Sequence, residues 1–88
     1  MEQTNTTARR ANLLRDLSLY RADLTAAEAE YQRCERLVTA LESPDMAYRG
    51  LGDEHLADAK RMKDRAWTFA EALGVMVAAI EEALNELL

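Results

Sequence analysis

The sequence predicts an all-α protein: an antiparallel two-helix coiled-coil hairpin that pairs with a second copy into a four-helix bundle. Apolar residues recur at alternating spacings of four and three through both halves of the 88-residue chain. Three Gly and one Pro leave little material for turns, and 49% apolar with 31% charged residues is typical of helices and coiled coils. One domain, residues 1–88, accommodates this pattern.

The first predicted helix covers about residues 7–43. Thr6 or Thr7 is a suitable N-cap, because a threonine hydroxyl accepts a hydrogen bond from a free backbone N–H of the first turn. Pro44 disfavours helical conformation at Ser43 and so predicts the end of the helix. The apolar seam of this helix consists of Leu13, Leu17, Tyr20, Leu24, Ala27, Tyr31, Cys34, Val38 and Leu41.

The second predicted helix covers about residues 53–87, after a turn at 44–52. Asp53 follows Gly52 and is a suitable N-cap, and its carboxylate suits the positive end of the helix dipole. The predicted seam consists of Leu56, Ala59, Met62, Ala66, Phe69, Leu73, Met76, Ile80, Leu84 and Leu87. The similar lengths of the two helices favour antiparallel pairing.

Reversal of the chain near Tyr48 brings the two seams together in order. It pairs Leu41 with Leu56, Val38 with Ala59, Tyr31 with Ala66, Ala27 with Phe69 and Leu17 with Ile80. Large side chains then face small ones in several layers, as an interdigitated core requires. Charge favours the same orientation, since it brings Arg9, Arg10 and Arg15 beside Glu81, Glu82 and Glu86, and Lys60, Arg61, Lys63 and Arg65 near Glu28, Glu30, Glu35 and Glu42.

The second helix carries more apolar surface than a two-helix seam can cover. The residues that predict a self-association face are Trp67, Ala70, Gly74, Val77 and Ala78. Gly74 costs about 1 kcal/mol relative to Ala in a helix. It is either a tolerated glycine, or a position where the missing side chain lets a second copy approach closely. A homodimer, or a higher oligomer, with four or more helices would cover this surface.

The residue types that usually carry chemistry are sparse in this chain. It has one Cys and one His, which indicates neither a disulfide framework nor a structural zinc site. Cys34 falls on the first seam, where a thiol acts as a small apolar group, and His55 falls in the exposed first turn of the second helix. Gly50-Leu51-Gly52 lacks the pattern of a phosphate-binding loop. We therefore expect no enzyme activity, no catalytic residues, no metal and no cofactor.

Charge and hydropathy argue against nucleic acid and membranes as binding partners. A formal net charge of −5 argues against direct binding to nucleic acid. The most apolar stretch, residues 66–80, is shorter than the ~20 residues that a membrane span needs. The polar residues at 1–7 lack the apolar run of a secretory signal, so we expect a cytoplasmic protein. No motif assigns the chain to a family: Trp67-Thr68-Phe69 within a helix differs from the Trp-x-Gly turn of the small secreted WXG hairpins.

These observations favour a non-enzymatic interaction or adaptor protein that self-associates and binds another protein. Met46, Tyr48, Arg49 and Leu51 in the turn are candidate contacts, and the alternative is that they fold back to close the end of the bundle. A second hypothesis is a small acidic inhibitor of a basic nucleic-acid-handling protein. A third is a helical sensor that binds a small ligand between subunits near Trp67 and Gly74.

Overall fold

Two long helices packed side by side make up the structure. The computed structural model describes residues 2–45 and 53–88, in which α1 spans Glu2–Leu41 and α2 spans Asp53–Glu86. The molecule is a rod of 70 × 15 × 14 Å. No strand occurs in the two described ranges. The prediction of an all-α two-helix hairpin is confirmed.

The start of α1 differs from the prediction, because the helix begins at Glu2 instead of near residue 7. Thr6 and Thr7 therefore lie inside the helix and do not cap its start. Neither Gly nor Pro occurs before Thr7, and a Thr in a helix costs only about 0.5 kcal/mol relative to Ala, so nothing local stops the helix from extending.

The end of α1 lies at Leu41, two residues before the predicted end. The N–H of Glu42 donates to the carbonyl of Val38 at 2.9 Å, and the N–H of Ser43 donates to the carbonyl of Ala40 at 3.2 Å. The second bond spans three residues and tightens the last turn, as is common where a helix ends. Helical conformation resumes at Pro44, which suits the first position of a helix because Pro has no N–H to leave unpaired.

The seam of α1 agrees with the prediction at every position. Cys34 is fully enclosed, with 0% of its surface exposed. The buried positions are Leu17, Ala27, Cys34, Val38 and Leu41, and the half-buried ones are Leu13, Tyr20, Leu24 and Tyr31. One straight stripe of this helix therefore faces α2.

The seam of α2 was predicted wrongly at three positions. Met62, Phe69 and Met76 are exposed, and the side chains that face α1 in their place are Lys63, Ala70 and Val77. The full observed seam is Leu56, Ala59, Lys63, Ala66, Ala70, Leu73, Val77, Ile80, Leu84 and Leu87. Its spacing alternates between three and four without a break, whereas the predicted series contained irregular steps before Ala66 and after Met76.

The register near the turn agrees with the prediction. Val38, Leu41 and Ala59 form one buried cluster, and Leu56 packs against it. The predicted charge contacts are realised differently: the described ion pair between the helices joins Arg21 Nη2 to Glu81 Oε1 at 3.2 Å. Glu81 is thus paired across the hairpin, but by a residue closer to the middle of α1 than Arg15.

The other ion pairs that the structure shows lie within single helices. Arg15 Nε lies 3.8 Å from Asp16 Oδ1, and Arg33 pairs with Glu30. Arg61 pairs with Asp58 of its own helix instead of reaching α1. Exposed pairs of this kind are worth about 0.2–1 kcal/mol each. The apolar seam therefore contributes most of the packing energy.

The corrected seam predicts unequal effects for two valines that are two residues apart in α2. Val77 is 8% exposed and Val75 is 71% exposed. We expect Val77→Ala to lower the free energy of unfolding by about 1–2 kcal/mol, because it removes buried methyl groups and leaves a cavity. Val75→Ala is the matched control and should change it by no more than about 0.5 kcal/mol. Urea titrations followed by circular dichroism measure both, and equal losses in the two variants would contradict the seam.

Candidate functional site

The hairpin has two different sides, one on each side of the seam of α2. Each side includes a row of α2 residues next to that seam. Met62, Phe69 and Met76 follow one another at intervals of seven and lie on one side. Trp67 and Gly74, also seven apart, lie on the other side. Because seven residues make nearly two full turns, each set forms a row parallel to the axis of the rod.

The first side is apolar and has projecting side chains, and we name it the Phe69 face. It comprises Met62, Phe69 and Met76 of α2 with Leu19 and Leu37 of α1. Ala26 and Glu30 line a hollow together with Phe69, and Leu19 and Leu37 lie seven residues from them on the same rows of α1. All five large side chains of this face are exposed.

Phe69 lies between two hollows and is itself 58% exposed. On the side toward α1, a hollow of about 360 Å³ is lined by Asp23, Ala26, Ala27, Glu30 and Ala66 in addition to the phenyl ring. On the outer side, a hollow of about 410 Å³ is lined by Asp64, Arg65, Thr68 and Ala72. The ring is thus a projection with an adjacent recess on either side.

The second side contains a groove of about 490 Å³ between the two helices, which we name the Trp67 groove. Leu24, Tyr31 and Trp67 supply its large apolar walls, and Ala70 and Gly74 supply its small ones. Gln32 and three carboxylates, those of Glu28, Glu35 and Glu71, complete the lining. The three glutamates are exposed, so they stand at the rim.

An aromatic pair organises the groove. The rings of Tyr31 and Trp67 have their centroids 5.1 Å apart at an angle of 51°, a tilted geometry that suits the quadrupoles of both rings. Lys63 Nζ lies 5.8 Å from the centroid of the Tyr31 ring, so this seam lysine buries its stem and keeps its charge beside an aromatic face. Trp67 remains 50% exposed.

The thiol of Cys34 is enclosed between the helices. Its Sγ donates to Glu30 Oε1 at 3.7 Å, and Arg33 Nε donates to Glu30 Oε2 at 3.0 Å. The hydrogen bond from Arg33 is the main reason that the pKa of Glu30 lies below its usual value, and the same pair raises the pKa of Arg33. Glu30 is therefore a carboxylate held ionised at the edge of the hairpin.

The residue types that could bind a metal ion are scattered in the part of the chain that the structure describes. His55 is exposed in the first turn of α2. Within residues 2–45 and 53–88, no group of three His, Cys, Asp or Glu side chains is placed to hold a metal ion. In the same ranges no helix has the length and apolar character needed to cross a bilayer.

The predicted self-association face is divided by the structure. Trp67, Ala70 and Gly74 lie together in the Trp67 groove, and Ala78 is exposed. Val77 lies in the seam against α1, so its side chain is not available to a second copy. The predicted turn contacts, Met46, Tyr48, Arg49 and Leu51, lie outside the described residues.

Sequence reasoning missed the contribution of α1 to this groove. Glu28 and Glu35 are seven residues apart, and Tyr31 lies between them. The predicted pairing of Tyr31 with Ala66 already placed this tyrosine next to Trp67. The pairing of Tyr31 with Ala66 was therefore enough to predict the contact between Tyr31 and Trp67 and the glutamates that border it.

Comparison of the chain with protein families, with curated proteins and with solved structures found no match.

The burial of Cys34 predicts slow thiol chemistry. We expect a disulfide-exchange reagent to modify native protein at least about a hundredfold more slowly than protein in denaturant, because the enclosed sulfur reacts only after the hairpin opens. The absorbance of the released chromophore measures both rates. A native rate equal to that in denaturant would show that Cys34 is accessible.

Gly74 provides a second prediction. A Cβ placed at Gly74 meets no atom within 4 Å, so nothing inside the hairpin requires a glycine there. We expect Gly74→Ala to raise the free energy of unfolding by about 0.5–1 kcal/mol through its better helix propensity. Ala70→Gly, four residues earlier in the same groove, is the converse change and should lower the free energy of unfolding. Thermal and urea unfolding measure both, and a loss of stability in Gly74→Ala would contradict the open space at this position.

Proposed function

We propose that this chain is a non-enzymatic helical interaction protein that self-associates, with two hairpins packed through their Phe69 faces into an antiparallel four-helix bundle. The observation that carries the proposal is the exposed apolar surface beside a thin core. Much of the buried core consists of small side chains, among them Ala27, Cys34, Ala59 and Ala66, while Phe69 and the other large side chains of its face remain outside.

The surface area supports a second copy. The hairpin exposes 6820 Å². A compact folded monomer of 9.9 kDa is expected to expose about 5,200 Å². The excess of roughly 1,600 Å² is about twice the ~800 Å² that each partner contributes to an interface of standard size. One copy therefore has enough uncovered surface for self-association and for a further partner.

The shape of the Phe69 face supports a two-fold arrangement. In a symmetric dimer the same patch serves both partners, so the patch must carry both the projection and the recess that receives it. Phe69 is such a projection, and hollows lie on both sides of it. Ala72 and Ala79 follow Phe69 and Met76 by three residues each, and this alternation of large and small side chains lets two copies of α2 interdigitate.

Charge also favours this face over the other side of the hairpin. Asp23, Glu30 and Asp64 line the hollows beside Phe69, but Arg33 pairs with Glu30, and Arg65 lines the same hollow as Asp64. The Trp67 groove instead carries three carboxylates, Glu28, Glu35 and Glu71, which would repel their counterparts in a second copy packed there. We therefore assign self-association to the Phe69 face, whereas the sequence alone suggested the side with Trp67.

We expect Phe69→Glu to convert the dimer to a monomer, because it places a charge where the projection would be buried. Light scattering coupled to size-exclusion chromatography measures the mass. Val75→Glu, on the outward surface of the same helix, and Trp67→Glu are the matched controls, and both should remain dimeric. Loss of the dimer in Trp67→Glu but not in Phe69→Glu would reassign the interface to the other face.

A second readout applies even where Phe69→Glu unfolds. If folding and association are coupled, the melting temperature of the unaltered protein rises with its concentration. We expect a rise of several degrees between about 1 and 100 μM, which circular dichroism can follow. A folded monomer with a constant melting temperature over this range would contradict self-association.

A further inference from the structure

We propose that the Trp67 groove binds a basic amphipathic helix of a partner protein. This inference names the class of partner for the proposed interaction function and rests on it. The groove lies on the side of the hairpin away from the Phe69 face, so one copy can use both surfaces at once. The length of the groove, its apolar walls and its charge all favour such a partner.

The length of the groove fits a helical segment. On α1 its lining runs from Leu24 to Glu35, and on α2 from Trp67 to Gly74. At 1.5 Å per residue, the α1 wall is about 16 Å long, which equals about three helical turns. A helix laid in such a trough presents apolar anchors at intervals of three and four residues.

The walls suit an extended occupant better than a small molecule. Sites for small ligands enclose about 70–90% of the ligand surface. Here Trp67, the largest side chain of the groove, is itself half exposed, and the walls come from only two antiparallel helices. An apolar side chain of a partner helix would instead lie against Trp67 and over Gly74, where no atom occupies the space above the backbone.

The rim selects a cationic partner. Glu28, Glu35 and Glu71 line the groove, and no Lys or Arg is among the lining residues. Arg21 pairs with Glu81, and Lys63 Nζ lies 5.8 Å from the centroid of the Tyr31 ring. A helix with Lys or Arg flanking its apolar stripe would pair with the rim while its anchors cover Trp67.

The same charges exclude other occupants. A second copy packed groove to groove would bring three further carboxylates against Glu28, Glu35 and Glu71. Phosphate-bearing partners are repelled for the same reason. A basic protein segment is the occupant that both the apolar walls and the acidic rim favour.

The test uses the fluorescence of Trp67, the single tryptophan of the chain, and three synthetic helical peptides that lack Trp. Each is about four turns long. The first has Leu on one face and Lys on the rest, the second has Glu in place of Lys, and the third keeps the Lys but has Gln in place of Leu. We expect saturable binding of the first peptide only, weakened by raising NaCl from about 50 to 500 mM.

Substitutions in the chain test whether the peptide binds in the Trp67 groove. A triple variant that removes the rim charges should bind the Leu/Lys peptide with about tenfold lower affinity. Its substitutions are Glu28→Gln, Glu35→Gln and Glu71→Gln. The matched control neutralises three exposed carboxylates outside the groove, through Glu54→Gln, Glu82→Gln and Glu86→Gln, and should leave affinity within about twofold. Gly74→Leu should block binding sterically, and circular dichroism confirms that each variant is folded.

Three outcomes would overturn the proposal. The first is equal affinity of the two triple variants for the Leu/Lys peptide. The second is equal affinity of the unaltered chain for the Gln/Lys and Leu/Lys peptides. The third is no change in Trp67 emission with the Leu/Lys peptide up to about 1 mM, since a dissociation constant above that value means negligible affinity. The mass of the protein by light scattering is recorded in the same samples. A monomer that still binds the peptide would contradict self-association alone, and a dimer that does not bind would contradict the groove alone.

Discussion

The rest of the structure depends on the alternating three-and-four spacing that sets how α2 is rotated against α1. A seam with this spacing runs straight along the helix, so it can stay in contact with a straight partner seam over the full length of the rod. Ala59, Ala66 and Ala70 occupy much of it, and such small side chains let the helix axes approach closely. Once the alanines face inward, Phe69 and Trp67 are fixed on opposite sides of the hairpin.

This rotation explains why the fold separates two kinds of surface. One flank of the α2 seam is a row of large flexible or aromatic apolar side chains, and the other combines Trp67 with the small residue Gly74. On α1, the rows that meet these flanks differ as well. Leu37 extends the apolar side, whereas Glu28 and Glu35 border the groove. A hairpin with a single hydrophobic seam thereby presents one apolar face and one groove bordered by carboxylates.

The seam of α1 was predictable from the sequence because only one apolar row exists there. Its neighbours include Asp16, Asp23 and Glu30, so no other row competes with it. In α2 the choice was ambiguous, since adjacent positions such as Met76 and Val77 are both apolar. Side-chain size favoured the wrong member of the pair, while regular spacing favoured the right one. The Trp67 groove was harder to predict, because its three carboxylates come from two helices and each resembles an ordinary solvated charge in its own helix.

The thinness of the rod has a consequence for how such a protein changes over evolutionary time. With a cross-section of about 15 × 14 Å, the hairpin commits one seam of each helix to folding and leaves the remaining surface to solvent or partners. A substitution at Phe69 or Glu28 therefore changes the surface while the seam is preserved, and substitutions on one flank leave the opposite flank intact. The two proposed binding surfaces can then diverge independently among descendants of one hairpin, with little loss of stability.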